Sequence, residues 1–184
     1  TSVTYSDFDD LRMGSNGPDD YLRNEYVQTI NGVDAVVQND NPKVQVATGY
    51  NQINLMQKVR YRANDQWNFD LGLFYTTTSD LPRYDRLIRA TDNELRFAAW
   101  YYGPQEWISG NIQARNTAYN NSFYDESVAT ISFQRFKESR NNRDFGDAIL
   151  FQTEEKVNAY TAAWDFEKDW DKTKFNYGLE YVYN

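Results

Sequence analysis

WNFDLGLFYTTTSDLPRYDRL, residues 67–87, changes character halfway along. From Trp67 to Thr77, large apolar side chains alternate with small or polar ones. One face reads Trp67, Phe69, Leu71, Leu73, Tyr75, Thr77, and the other Asn68, Asp70, Gly72, Phe74, Thr76, Thr78. Successive side chains of a strand point to opposite faces, so the pattern predicts a strand with one apolar and one mostly polar face. After Ser79 the alternation stops, and a charged segment containing Pro82 and Tyr84 begins.

The same period returns along the chain. At the C-terminal end, Phe175, Tyr177, Leu179, Tyr181 and Tyr183 stand against Asn176, Gly178, Glu180, Val182 and Asn184. Before Trp67, the run GYNQINLMQKVRYR sets Ile53, Leu55, Val59 and Tyr61 against Gln52, Asn54, Lys58 and Arg60, with Met56 and Gln57 breaking the pattern. Three further segments fit more loosely: EWISGNIQAR (106–115), SVATISFQRF (127–136, Arg135 on the wrong face) and VNAYTAAWDFE (157–167). A seventh strand is expected at the start, up to about Phe8. No long helical pattern competes with these strands.

Connections alternate too. Short polar turns follow Tyr61, Arg115 and Phe166, whereas long loops are expected near 9–48, 79–105 and 137–156. Tight turns at one end and long loops at the other are the arrangement of transmembrane β-barrels. A strand of about ten residues tilted near 45° climbs roughly 23 to 25 Å, the height of the apolar band of such barrels.

Composition points the same way. Fifteen Tyr, eleven Phe and five Trp give 17% aromatic residues in a chain of 184, yet the mean hydropathy is -0.84. Disordered segments are poor in aromatics, and a soluble core would hold more Val, Ile and Leu. Rings with polar neighbours suit strands that face lipid on one side and water on the other. No run approaches the roughly 18 to 20 apolar residues of a membrane-spanning helix. A soluble antiparallel sandwich also alternates, but three loops longer than about 15 residues fit a compact domain poorly.

Charge and missing residues exclude other classes. A net charge of -8 and a pI near 4.6 oppose a nucleic-acid partner. With neither Cys nor His, the chain has no disulfide, thiolate-metal site, thiol nucleophile or histidine base. No GxSxG motif occurs, and the glycine-bearing stretches GSNGPDD and DFGD are not followed by helix patterns. No catalytic residue, cofactor or metal ligand is assigned. Seven strands without closure do not make the even-numbered barrel usual in bacterial outer membranes, and an open edge in lipid leaves backbone groups unsatisfied. The expectation is therefore an all-β, antiparallel transmembrane barrel segment spanning 1–184, an internal slice of a larger barrel.

Several stretches resemble the TonB-dependent outer-membrane receptors of Bacteroidota. They are GYNQINLMQKVRYR (49–62), FDLGLFYTTTSDLPRYDRLIR (69–89), AAWYYGPQEW (98–107) and ESRNNRDFG (138–146), with TYSDFDDLRMGSNGPDDYL (4–22) as the preceding strand and loop. The resemblance implies a barrel of about 22 strands around an N-terminal plug. It also implies a place in the outer membrane of a Gram-negative bacterium. Receptors of this kind import a scarce nutrient, such as siderophore-bound iron, haem, cobalamin or an oligosaccharide, using energy relayed by TonB. The plug and the TonB-contacting segment do not occur in this sequence, so the implied partners are the bilayer, the rest of the barrel, the plug, TonB through it, and a small ligand. Two other classes remain: a non-transporting barrel or adhesin whose loops bind a surface partner, and a soluble carbohydrate-binding sandwich.

Candidate ligand contacts fall in the loops. PRYDRLIR offers Arg83, Tyr84, Asp85 and Arg86, WYYG offers Trp100, Tyr101 and Tyr102, and SRNNRDFG offers Arg140 and Arg143. Arginine pairs bidentately with carboxylates and phosphates, and rings stack on flat ligands or sugars. Local ion pairing and loop packing are the more ordinary reading of the same residues. Asp7, Asp9, Asp10, Asp19 and Asp20 are oxygen ligands of the kind calcium takes, but their spacing is not that of an EF-hand and a solvated loop is the default. Lys58, Arg60, Asp70, Asp165 and Glu180 are expected to line the lumen. Tyr61, Trp67, Trp164, Phe175 and Tyr183 are expected to anchor strand ends at the membrane interfaces.

Overall fold

The computed structural model describes residues 1–92 and 94–184 and is all-β, built of antiparallel sheets. From the N-terminus come β1 (Ser2–Phe8), β2 (Leu11–Arg12), a turn of 3-10 helix at Asp19–Tyr21, β3 (Glu25–Ile30), β4 (Val33–Gln38) and β5 (Val44–Gln45). Two long strands follow, β6 (Tyr50–Arg62) and β7 (Trp67–Thr78). Then come β8 (Leu81–Pro82), the one-turn helix α1 (Tyr84–Leu87), β9 (Ala90–Thr91), β10 (Glu94–Leu95) and β11 (Phe97–Tyr102). The last four strands are β12 (Glu106–Thr117), β13 (Glu126–Asp144), β14 (Phe151–Trp170) and β15 (Thr173–Tyr183).

Seven strands form an antiparallel meander in the order β1-β6-β7-β12-β13-β14-β15, matching the seven segments expected from periodicity. The sheet does not close: among the described residues, β1 pairs only with β6 and β15 only with β14. Register aligns the apolar positions into rows. Val59, Leu71, Ile112, Ile131, Ala162 and Tyr181 lie opposite one another in sequence across six strands. The next row holds Tyr61, Phe69, Ala114, Ala129, Trp164 and Leu179. Because facing residues share a side, these rows make one continuous apolar belt.

Among the described residues nothing covers that belt: Ile131 is 65% and Leu179 66% exposed. Among the described residues the buried hydrophobic side chains are Leu87, Leu95 and Phe97, all in the connections rather than on the meander. The opposite face is polar, carrying Lys58, Arg60 and Asp70 with Asn111, Gln113, Thr130, Ser132, Asp165 and Glu180.

The irregularities at Gln57 and Arg135 are explained by position. Pairing of β6 with β7 runs unbroken from Gln52–Thr78 to Arg62–Asn68, so Gln57 sits on the apolar side, where it meets the Thr1 hydroxyl near the sheet edge. Arg135 also lies on the apolar face, at the margin of the belt, and pairs there with Glu106 at 3.0 Å. Beyond it the rows become charged, with Lys137 facing Glu106 and lying 3.0 Å from Glu154.

The short connections, 63–66, 118–125 and 171–172, lie at one end of the meander, and 9–49, 79–105 and 145–150 at the other. The third expected long loop is corrected in extent. Cross-strand pairing of β13 with β14 continues from Lys137–Lys156 to Asn142–Phe151, so most of 137–156 is a hairpin standing beyond the sheet. The first long connection contains its own hairpin, β3–β4, turned by Asn31 and Gly32 with φ of 50° and 81°. Two successive positive φ values are what a two-residue turn of this kind requires, and Asn-Gly supplies them.

Candidate functional site

The extra length of β13 organises the layer beyond the sheet. Its pairing with β12 ends at Glu106–Lys137, and the same edge is then taken by β11, from Tyr102–Arg140 to Phe97–Asp144. On the far side of β11, β8 adds Leu81 and Pro82. Paired residues share a side, so Trp100, Tyr102 and Arg140 stand on the side of the polar face. Tyr101, paired with Asn141, stands on the belt side.

On the polar side three arginines surround two rings. Trp100 and Tyr102 meet edge to face, with centroids 5.5 Å apart. The Arg83 guanidinium lies 5.2 Å from the Trp100 centroid and 5.0 Å from that of Tyr102. It donates to the Tyr102 hydroxyl (2.6 Å) and, through Nε and Nη2, to both Asp85 oxygens (2.8 and 3.0 Å). The Arg83 backbone N–H donates to the Trp100 carbonyl at 2.9 Å, which places the segment against β11. Arg86 covers Trp100 from 5.6 Å and Arg140 lies 5.9 Å from Tyr102.

Electrostatics qualifies what this cluster can do. Arg83 and Arg86 share Asp85, at 2.8 and 3.5 Å, while Arg140 meets Glu155 at 3.0 Å and Glu138 at 4.0 Å. The hydrogen bond from Arg83 holds the Asp85 carboxyl below its ordinary range, so it stays ionised at neutral pH. Three guanidiniums face three carboxylates. The cluster therefore presents donors, acceptors and ring faces rather than net positive charge, a surface suited to a flat or hydroxyl-rich ligand.

The remaining loop candidates are placed elsewhere. Arg143 donates to both oxygens of Asp34 at 2.7 Å, to the Thr29 hydroxyl at 2.9 Å and to the Asp147 carbonyl at 2.6 Å. Asp34, its side chain 2% exposed, also accepts the Gly146 N–H at 2.9 Å. Arg143 thus joins the β3–β4 hairpin to the tip of the β13–β14 hairpin, with its guanidinium engaged by that contact. The Tyr84 ring receives Arg23, 5.2 Å away.

The five residues expected in the lumen do share the polar face. Arg60 and Asp70 face each other across β6 and β7, joined at 2.6 and 3.0 Å. Lys58 lies 5.7 Å from the Phe74 ring. Across the sheet, Asp165 and Glu180 line an open groove of about 580 Å³ together with Glu126 and Glu167. The polar face therefore runs from basic at β6 to acidic at β14 and β15.

In the acidic N-terminal stretch, Asp10 is engaged by the backbone. It accepts the N–H groups of Ala47 (3.2 Å), Thr48 (2.6 Å) and Gly49 (2.8 Å), closing the 9–49 excursion onto itself. Among the described residues no three carboxylates gather as a metal site would require.

Residues that the sequence reading passed over include Arg23, Asp34 and Asp80. The Asn31-Gly32 pair between EYVQTI and VDAVVQ was a legible hairpin signal that would have brought Asp34 forward. Arg23 and Asp80 carry no local signal, since their roles depend on distant segments. No family model, curated protein or solved structure matched this chain.

Proposed function

We propose that the chain is a wall segment of an outer-membrane barrel, and that the parent protein is a TonB-dependent receptor importing a scarce nutrient. The carrying observation is the belt: aligned apolar rows across six strands, uncovered, backed by a polar face on the same meander. Lipid would cover the belt and a plug would meet the polar face. From Trp67 to Tyr75 the belt measures about 27 Å along the strand, or roughly 20 Å of height at a tilt near 40°.

The free edges of β1 and β15 would pair with further strands, because unpaired backbone within lipid costs several kcal/mol per group. Charged rows at the belt's upper margin, from Glu106 to Lys156, would then stand at the headgroups. The Arg83–Trp100–Tyr102–Arg140 cluster, on the lumen side beyond the wall, is the proposed ligand contact. Its balanced charge and paired rings favour sugar-like or flat chelate ligands within the nutrient classes that the resemblance implies. A soluble sandwich would need a second sheet over the belt.

These 184 residues contain no cysteine, and any in the rest of the parent would first be replaced by serine. Single cysteines at Ile131 and Thr130 in the full-length parent, expressed in a Gram-negative host, would be treated with a water-soluble maleimide. Labelling of Thr130→Cys but not Ile131→Cys in membranes is expected. Equal labelling, or recovery of the protein without detergent, would overturn the membrane reading. Loss of nutrient uptake on deleting TonB tests the transport half separately.

A further inference from the structure

A second cavity lies behind the arginine–aromatic cluster, on the other side of β11. It encloses about 220 Å³, below the roughly 300 to 1,000 Å³ of pockets for drug-sized ligands. Its walls include Leu87, Phe97, Tyr101 and Pro82, and one cation, Arg23, enters it. Tyr101 pairs with Asn141 and with Pro82, and Asn141 continues the β13 series that holds Ile131, so the Tyr101 and Pro82 walls share the belt side. Since β8 follows β7 and β11 precedes β12, the cavity stands directly beyond the end of the belt formed by that pair.

Arg23 is unusual in its surroundings. It is 5% exposed, yet among the described residues no carboxylate forms an ion pair with it. One Nη donates to the Val46 carbonyl, the ring of Tyr84 lies 5.2 Å away, and Nε is buried without a hydrogen-bond partner. Burial pushes the guanidinium below its ordinary value, with Tyr84, Asp10 and Tyr26 acting in the opposite sense. An isolated buried charge is costly unless paired. The acid that lines the cavity, Asp80, is exposed and sits over Gly103, where a Cβ would lie 2.0 Å from its oxygen.

Apolar walls, one uncompensated guanidinium and a position at the rim of a lipid-facing belt define a ligand chemistry. We propose that the cavity binds the oxyanion head and first few carbons of a single-chain amphiphile, the head pairing with Arg23 and the chain lying against Leu87, Phe97 and Tyr101. The proposal rests on the membrane reading above for the source of the ligand. A carboxylate head would come from a fatty acid and a phosphate head from a lipid fragment. Both offer the paired oxygens that a guanidinium takes.

Trp100 lies on β11 between the cavity and the arginine–aromatic cluster, so Arg23→Gln separates a probe in the cavity from one on the cluster, while Trp164 in the belt reports on lipid. In the full-length parent, one variant would keep Trp100 and another Trp164 as the only tryptophan, the others replaced by Phe. Quenching would be followed with bromooctanoate, bromooctyl phosphate and bromooctanol. Trp100 is expected to be quenched by one or both anionic probes and not by the alcohol. The stronger of the two identifies the head. Arg23→Gln is expected to raise the quenching midpoint by about tenfold or more, and Arg23→Lys by less, as loss of a charge-assisted contact implies.

Equal quenching by the alcohol, no anionic quenching, or an Arg23→Gln midpoint unchanged would overturn the proposal. Brominated bilayer lipid supplies the control: quenching of Trp164 shows the belt in lipid whatever Trp100 does. If Trp164 is silent and Trp100 responds, the membrane reading fails and the anion site stands alone.

Discussion

Arg143 and Asp34 are 109 residues apart in sequence and are joined by two hydrogen bonds of 2.7 Å each. The pair is the main polar contact between two hairpins that reach the same end of the sheet by separate routes. Arg143→Ala is expected to leave the Asp34 carboxylate covered and unpaired, and to destabilise docking of residues 25–38 by about 3 kcal/mol. Hydrogen exchange of those amides measures it. The pH dependence has a definite sign. The bonds from Arg143 hold the Asp34 carboxyl far below its ordinary range. Its stabilising contribution is therefore complete above the unfolded value, near 4, and is lost as pH falls below that toward the folded value. Protection of the hairpin should be level from neutral pH to about 5 and decline below about 4, and Arg143→Ala should remove the decline.

Asp10 offers a second, independent lesion. One carboxylate satisfies three successive backbone N–H groups at 47–49. Asp10→Ala is expected to orphan them and destabilise the 9–49 excursion by about 2 kcal/mol. Limited proteolysis should then cut between residues 41 and 49 faster than in the unaltered chain, while the meander persists. An unchanged cleavage rate would show that solvent replaces the carboxylate without loss.

In the ring cluster, geometry matters more than charge. Arg83 uses Nε and Nη2 on Asp85, Nη1 on Tyr102, and its plane against Trp100. A lysine has the charge but neither the fork nor the plane. Arg83→Lys is therefore expected to behave like Arg83→Ala, loosening residues 81–87 by about 1 to 2 kcal/mol as read by exchange of their amides. Full rescue by lysine would mean that net charge, not the fork, holds the segment.

The fold was legible where one face is dry and the other wet. Trp67 to Tyr75 alternates because each side chain has a single compatible environment, and the same logic exposed the segments around Ile112, Trp164 and Leu179. Beyond Lys137 both faces carry polar residues, so SRNNR shows no period and was expected to be loop although it is strand. Arg135 looked misplaced because sequence cannot show that the belt ends there and that Glu106 waits across the strand. The candidate site was half legible. Residue types marked Arg83, Trp100 and Tyr102, but only the pairing of β11 with β13 brings Arg140 beside them and draws Arg143 away.

Neighbouring positions in the middle of β13 separate a belt in lipid from a belt in water. Ile131 faces Ile112 and Ala162 on the apolar side, while Thr130 faces Gln113 and Ala163 on the polar side. In a bilayer, arginine at the lipid-facing midplane costs about 2 to 4 kcal/mol, falling toward zero near the interfaces. Ile131→Arg in the full-length parent, unfolded by guanidinium from lipid vesicles, should therefore lose stability in that range. Thr130→Arg, one residue away in the same strand, should change it by less than about 0.5 kcal/mol, as surface substitutions do. A small effect at Thr130 beside a large one at Ile131 places lipid on the belt. Equal, small effects at Ile131 and Thr130 would mean that water covers both faces, and the membrane-spanning wall would have to be abandoned.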